Sequence, residues 1–305
     1  MQTKKLLTIL GPTASGKTAR AVGICRALNG EIIIGDSRQV YRGMDIGTGK
    51  DIQEYREIKY HLIDICEAGE KYNLHLFLKD FYSALDKINQ HRKQPVLCGG
   101  TGMYIESALS GIRLPEVPIN DKLRKELEEN TLEELIKRLK DLKNLHNTTD
   151  IDTKKRAIRA IEIETFYKDH PEIAELSKKD KTPQIDSVII GIDIPRDKRR
   201  ERISERLERR LKEGMVDEIE GLISNGVNPN DLIYYGLEYK YVTLYITGVL
   251  SFKEMKEKLE IAIHQFGKRQ MTWFRGMEKR GFLINWLPFN MSEKEFNEKV
   301  ISLMN

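Results

Sequence analysis

Gly11-Pro-Thr-Ala-Ser-Gly-Lys-Thr18 spells G-x-x-x-x-G-K-[ST] directly after the apolar run Leu6–Leu10 and ahead of a helical stretch at 19–28. Between a strand and a helix this spelling describes a loop that cradles a polyphosphate. Gly11 and Gly16 let the backbone fold around an anion without a Cβ clash, successive N–H groups turn inward, and the following helix adds the positive end of its dipole. Gly11, Pro12, Thr13, Ala14, Ser15 and Gly16 are therefore expected to line a diphosphate. Lys17 supplies a mobile cation, and Thr18 a hydroxyl for Mg²⁺.

The same kind of short apolar run recurs at 31–34, 60–65, 95–98 and 187–192, each bounded by glycine or an acid. Near-continuous apolar character fits parallel strands covered on both faces, with crossover helices between them. The expected fold is α/β, a doubly wound parallel sheet. Ligands in such sheets gather at the carboxyl ends of strands, where the phosphate loop, Asp36 and Gly99-Gly100-Thr101-Gly102 all fall. From 114 to 182 the character changes to prolines followed by long charged helical patterns of nearly balanced charge, which predicts an inserted helical domain. Residues 1–113 and 183–305 would then form the core. Helices are predicted at 196–224, 232–246 and 252–278, and the apolar run 282–287 reads as a strand or a packed tail.

With 305 residues, 40% of them hydrophobic, the chain can bury one large core plus a satellite unit. A net charge of +4 permits a nucleic acid partner without demanding one. Cys25, Cys66 and Cys98 are odd in number and set in apolar segments, which predicts buried free thiols rather than disulfides or a zinc site. There is no apolar stretch of membrane-spanning length and no leader-like N-terminus, so the expected location is the cytoplasm.

Asp36 closes the second strand, where a carboxylate can take a proton or hold metal-bound water; an Asp-Ser turn is the alternative reading. Asp64, after His61-Leu-Ile, is a candidate second carboxylate near Mg²⁺, or a cap. The stretch 196–212 is strongly basic, and Arg202 and Arg206 stand one turn apart on one side of a helix, suited either to phosphates or to solvent. Near the C-terminus Lys268, Thr272 and Arg275 share a helical face, with Met271 and Phe274 as core candidates.

Taken together the motifs resemble the tRNA dimethylallyltransferase family. The matching stretches are the phosphate loop, Asp36-Ser37, Val40-Tyr-Arg-Gly-Met-Asp-Ile-Gly-Thr48, His61-Leu-Ile-Asp64 and Gly99-Gly-Thr-Gly-Met-Tyr104. Arg156-Ala-Ile-Arg-Ala-Ile-Glu162, Arg202-Ile-Ser-Glu-Arg206 and Lys268-Arg-Gln-Met-Thr-Trp-Phe-Arg275 complete the set. The resemblance runs through most of the chain in order. It implies a P-loop kinase-like core, dimethylallyl diphosphate as donor, Mg²⁺ as cofactor, and an inserted domain that clasps the tRNA anticodon stem-loop, in a monomeric enzyme. Asp36 looks like the base that deprotonates the adenine amine. Lys17, Thr18, Arg202 and Arg206 resemble the groups on diphosphate and Mg²⁺, and Thr101 a contact at the channel mouth. Ser37, Arg38 and Gln39 would read the extruded base. Arg124, Arg156 and Arg159 of the insert, with Lys268 and Arg275, are the implied tRNA contacts. The chain departs from the family pattern at Tyr234-Tyr-Gly-Leu-Glu-Tyr-Lys240, where a Gly-Tyr-Lys-Glu type segment is usual. It also departs at Asn147-Thr-Thr-Asp-Ile-Asp152, in place of a His-Pro-Asn-Asp turn. An adenylate isopentenyltransferase, a phosphoryl-transfer kinase and a non-catalytic nucleotide-binding module are the alternatives; a helical insert of this size exceeds what a mononucleotide acceptor requires.

Overall fold

The computed structural model describes residues 4–112, 114–145, 149–179 and 185–305. In chain order the first elements are β1 (Leu6–Leu10), α1 (Lys17–Leu28), β2 (Gly30–Gly35), β3 (Tyr60–His61), α2 (Leu74–Gln90), β4 (Gln94–Gly99) and α3 (Gly102–Leu109). The helices α4 (Asp121–Glu128), α5 (Leu132–Leu142), α6 (Lys154–Asp169) and α7 (Pro171–Lys179) follow. The chain then returns through β5 (Ser187–Asp193), α8 (Arg196–Lys212), α9 (Met215–Ser224), α10 (Pro229–Tyr235) and α11 (Leu237–Ile246). It ends with α12 (Phe252–Lys279), β6 (Ile284–Pro288) and α13 (Glu293–Met304).

All six strands are parallel, in the order β3-β2-β4-β1-β5-β6. The continuous apolar runs are explained by burial on both faces. Leu6, Leu10, Ile33 and Leu97 face a core closed by Phe77 and Phe81 of α2 and Phe274 of α12. Their strand neighbours Leu7, Ile9, Ile32 and Val96 face the other, closed by Ala21 and Ile24 of α1 and Phe296 and Val300 of α13. The doubly wound α/β sheet expected from the sequence is present, and 282–287 proves to carry a sixth strand paired with β5. Cys25, Cys66 and Cys98 are buried and free.

Three local differences have local causes. The run 60–65 holds only a two-residue strand, because Leu62 (φ 68°) and Asp64 (φ 54°) adopt left-handed backbone that a strand cannot contain. The helical stretch 196–224 breaks at Gly214, whose φ of 97° is accessible to glycine at no cost. The stretch 232–246 likewise divides at Gly236 into α10 and α11.

The chain divides into two compact units, Met1–Gly111 with Pro183–Asn305, and Ile112–Thr182. The second is helical, with its own core of Leu123, Leu127, Leu135, Leu139, Ala157, Ile158 and Ile161. The departure at 147–152 falls partly outside the described residues, as does Lys181-Thr182-Pro183. Among the described residues no helix is long and apolar enough to cross a membrane.

Candidate active site

Within the sheet-bearing unit, the loops after β1, β2 and β4 open onto one crevice of about 780 Å³. The phosphate loop contributes Thr13, Gly16, Lys17 and Thr18, the turn after β2 contributes Asp36 to Gln39, and the turn after β4 contributes Gly100, Thr101 and Gly102. Gly16 precedes α1 with φ 85°, a conformation that turns the loop so that Lys17 and Thr18 begin the helix facing the crevice. Ser15, in the same loop, is buried and its hydroxyl has no partner among the described residues. Gly11, Pro12 and Ser15 are not among the crevice-lining residues, and the Ser15 hydroxyl lies against Gly11.

Asp36 closes a turn at the edge of the crevice. Its Oδ1 accepts the Arg38 N–H at 2.9 Å, while the side chain lines the crevice. Burial lowers the Lys17 ammonium from its ordinary range, and the charge of Asp36 opposes that shift, so the two groups are electrostatic neighbours. Thr101 Oγ1 accepts the Ser37 N–H at 3.3 Å, which binds the turns after β2 and β4 together. Gln39 donates its amide to Gly49 O at 3.0 Å, so that nitrogen serves the loop and not a ligand. The Arg38 guanidinium lies 5.6 Å from the centre of the Tyr234 ring.

The basic helix α8 sends Arg202, Arg206 and Arg210 into the crevice. Arg206 donates to Thr13 Oγ1. Burial lowers Arg206, and the adjacent Arg210 lowers it further. The segment 233–240, including the stretch that departs from the family pattern, forms another wall. There burial raises the Glu238 carboxyl, against the pull of Arg210 and Arg206. The loop between β2 and β3 is tied down from α9, where Glu218 accepts the N–H groups of Asp45, Ile46 and Gly47 as well as the Tyr239 hydroxyl.

Asp64, Arg124, Arg156, Arg159, Lys268 and Arg275 are not among the crevice-lining residues. Asp64 does not line the crevice; its left-handed backbone aims the carboxylate at the buried Lys50, which also binds Asp45 and the Tyr41 carbonyl. Arg124 and Arg159 both bind Glu162 inside the helical unit, Arg124 in a two-pronged pair at 2.9 and 2.8 Å, so their charges are already answered. Arg156 pairs with Asp152 at 3.0 Å on the surface. Lys268 and Arg275 are exposed on α12, outside the crevice lining. The residue of that helix which shapes the site is Gln270. It is buried, accepts the Thr13 N–H at 2.8 Å and donates to Gly100 O at 2.9 Å, stitching the phosphate loop to the turn after β4. A polar side chain on the apolar side of an amphipathic helix was its signal in the sequence. Glu54, Arg210 and Glu238 also escaped sequence reasoning.

Among the described residues no three metal-ligating side chains come together.

A model of the family described as IPP transferase matches residues 39–277. The chain is 56% identical to tRNA dimethylallyltransferase 2 of Phocaeicola vulgatus, an alignment covering 100% of this chain and 99% of that protein. It is 54% identical to tRNA dimethylallyltransferase 1 of Parabacteroides distasonis, with the same coverage. Among solved structures, the full-length tRNA isopentenylpyrophosphate transferase of Bacillus halodurans superposes with a TM-score of 0.71 at 28% identity, covering 99% of this chain and 97% of that one. A eukaryotic dimethylallyltransferase acting on tRNA shares the fold at TM-score 0.79 and 23% identity, covering 98% of this chain and 78% of that one.

Proposed function

The chain belongs to the IPP transferase family, and from that membership we infer that it moves a dimethylallyl group from dimethylallyl diphosphate to N6 of the adenosine 3′-adjacent to the tRNA anticodon, releasing pyrophosphate. The observation that carries the reading is the meeting of Asp36 with Lys17 and Thr18 in one crevice. The diphosphate lies against the phosphate loop, where inward N–H groups and Lys17 are placed before the substrate arrives. Negative charge grows on the leaving oxygens as the C1–O bond breaks, so this preorganised cradle binds the transition state more tightly than the ground state. The Thr18 hydroxyl would hold Mg²⁺, which would supply neutralising charge for the leaving group.

The target adenine must leave its stack to reach the donor. Asp36 takes a proton from its exocyclic amine as N6 bonds to C1 of the dimethylallyl group, and pyrophosphate leaves with the electron pair of the broken bond. Arg38 N–H holds Oδ1 of Asp36, which fixes the carboxylate and presents Oδ2 to the amine. Tyr234, Phe266 and Trp273, all exposed and all on the crevice wall, offer stacking surfaces to neighbouring bases. The helical unit and the exposed cations Lys268 and Arg275 are assigned to the anticodon stem-loop.

The direct test is to incubate the protein with Mg²⁺ and dimethylallyl diphosphate, offering total tRNA in one reaction and AMP in another. Expected is one prenyl mass on adenosine recovered from tRNA, with one pyrophosphate released per transfer. Product on AMP alone would replace this reading with that of a small-nucleotide enzyme.

A further inference from the structure

Four arginines of α8 line the crevice, at 202, 206, 209 and 210; of these 202, 206 and 210 are each four residues beyond the last and so on one side of the helix. The first two accompany the phosphate loop: the Arg202 guanidinium lies beside Gly16, and Arg206 reaches Thr13. Arg210 continues the row. It is 4% exposed, lies against Gly49 so closely that a Cβ there would overlap its guanidinium, and lines the crevice.

Its hydrogen bonding is incomplete. Nη2 is buried with no partner among the described residues, and Asp51 Oδ2, at 3.8 Å, is beyond hydrogen-bond range. A guanidinium carries five N–H donors and keeps its charge, so burial with a donor orphaned is costly unless an anion completes the site. The neighbours make the case stronger. Lys17 and Arg206, both half-buried, are lowered by desolvation and further by Arg210, so the three cations already repel one another. Asp51 is the carboxylate within ion-pair distance of Arg210, and Glu238, a crevice-wall carboxyl that burial raises and Arg210 lowers, hydrogen-bonds to none of the three among the described residues.

We propose that Arg210 is a further binding residue for the leaving diphosphate, extending the row of Arg202 and Arg206 along α8, with Asp51 and Glu238 as the crevice carboxylates that compete with the anion for it. The proposal rests on the functional reading above and adds to it a residue that family motifs do not supply. A purely structural Arg210, packed on Gly49, would affect folding and leave pyrophosphate affinity alone.

Pyrophosphate binding, measured by titration calorimetry in the presence of Mg²⁺, separates the two. Arg210→Met should bind pyrophosphate about 10- to 100-fold more weakly, as expected for loss of a hydrogen bond between charged groups, and raise the KM for dimethylallyl diphosphate in step. Its affinity for tRNA should stay within about twofold, because no base or stem contact is removed. Glu238→Gln should bind pyrophosphate at least about threefold more tightly, since a competing carboxylate is gone. Wild-type pyrophosphate affinity in a folded R210M protein would overturn the proposal. If R210M does not fold, unchanged affinity in E238Q overturns it instead. A wild-type protein that binds pyrophosphate yet transfers no prenyl group would sink the functional reading while leaving the Arg210 comparison standing.

Discussion

The arginines of the helical unit and those of α8 face the same physical problem and resolve it in opposite ways. Arg124 and Arg159 converge on Glu162, a carboxylate only 2% exposed that also accepts the Asn120 N–H at 2.7 Å. Every charge there has an answer inside the unit. In the crevice Lys17, Arg206 and Arg210 are gathered without matching hydrogen-bonded carboxylates, and burial pushes Lys17 and Arg206 down. Buried ion pairs contribute modestly to stability but are costly to break, so the first arrangement reads as scaffold. Like charges gathered in a cleft whose carboxylates make no hydrogen bond to them read as a binding site for an anion.

The comparison breaks most easily at the chemical step. Asp36→Ala should lower single-turnover prenyl transfer by about 10²- to 10⁴-fold, the usual range for a general base, while tRNA binding stays within a few fold. Turnover near the wild-type rate would remove Asp36 from the mechanism. Next in size is Lys17→Ala, expected to reduce kcat and to weaken donor binding together, by about 10²-fold, because the lost cation acts most strongly as charge builds on the leaving group. Lys17 also sets a pH signature. The protonated ammonium binds the anion and burial lowers its pKa, so pyrophosphate affinity should begin to fall at a pH below the 10.5 of an ordinary lysine. Lys17→Arg should move that limb to higher pH. A titration that is flat to pH 10.5 in the wild type would show that Lys17 is not desolvated.

How far these sites could be read from sequence depended on how local their causes are. The phosphate loop is eight consecutive residues, and two-sided burial wrote β1, β2, β4 and β5 into the chain as unbroken apolar runs. Asp36 was legible because it ends a strand beside that loop. Gln270 was not, since its partners Thr13 and Gly100 lie 257 and 170 residues away in sequence. Arg159 and Glu162 are three apart on one helix, so their pairing was open to inspection; Arg124 comes from another helix, and only the fold shows that it shares the same carboxylate. Asp64 looked like a strand-end acid until its own backbone angle turned it toward Lys50. The segment 234–240 stood out as a departure from pattern, yet nothing in its spelling says that it walls the crevice.

The scaffold side of the comparison is sharpened by Glu162→Gln, which should destabilise the helical unit by about 2–3 kcal/mol in a thermal or urea melt, with pyrophosphate affinity unchanged. Burial tends to raise Glu162, but hydrogen bonds from Arg124, Asn120 and Arg159 bring it below the ordinary glutamate value. A depressed carboxylate stabilises fully above its unfolded pKa and loses that contribution as pH falls through the folded one. Wild-type stability should therefore decline in acid below about pH 4, and the Gln variant should lack that part of the decline.

The smallest effects belong to the exposed cations of α12. Lys268 and Arg275 sit outside the crevice, and Arg199 of α8, lowered mainly by burial, is lowered further by Arg196 and by Arg275, so a ridge of like charge runs across α8 and α12. Solvent pays most of the cost of such a ridge, which is why it needs no carboxylate partner and why each member is worth little alone. If the ridge follows a phosphate backbone, Lys268→Ala or Arg275→Ala should weaken tRNA binding only several fold, uniformly across tRNA sequences. Each change should flatten the slope of log affinity against log salt by about 0.7–0.9, the release of one counterion. Arg156→Ala, a surface cation already paired with Asp152, is the control and should leave that slope unchanged. Equal slopes in all three variants would mean that the α12 ridge is a solvated surface, and that the unanswered charges with a function are confined to the crevice.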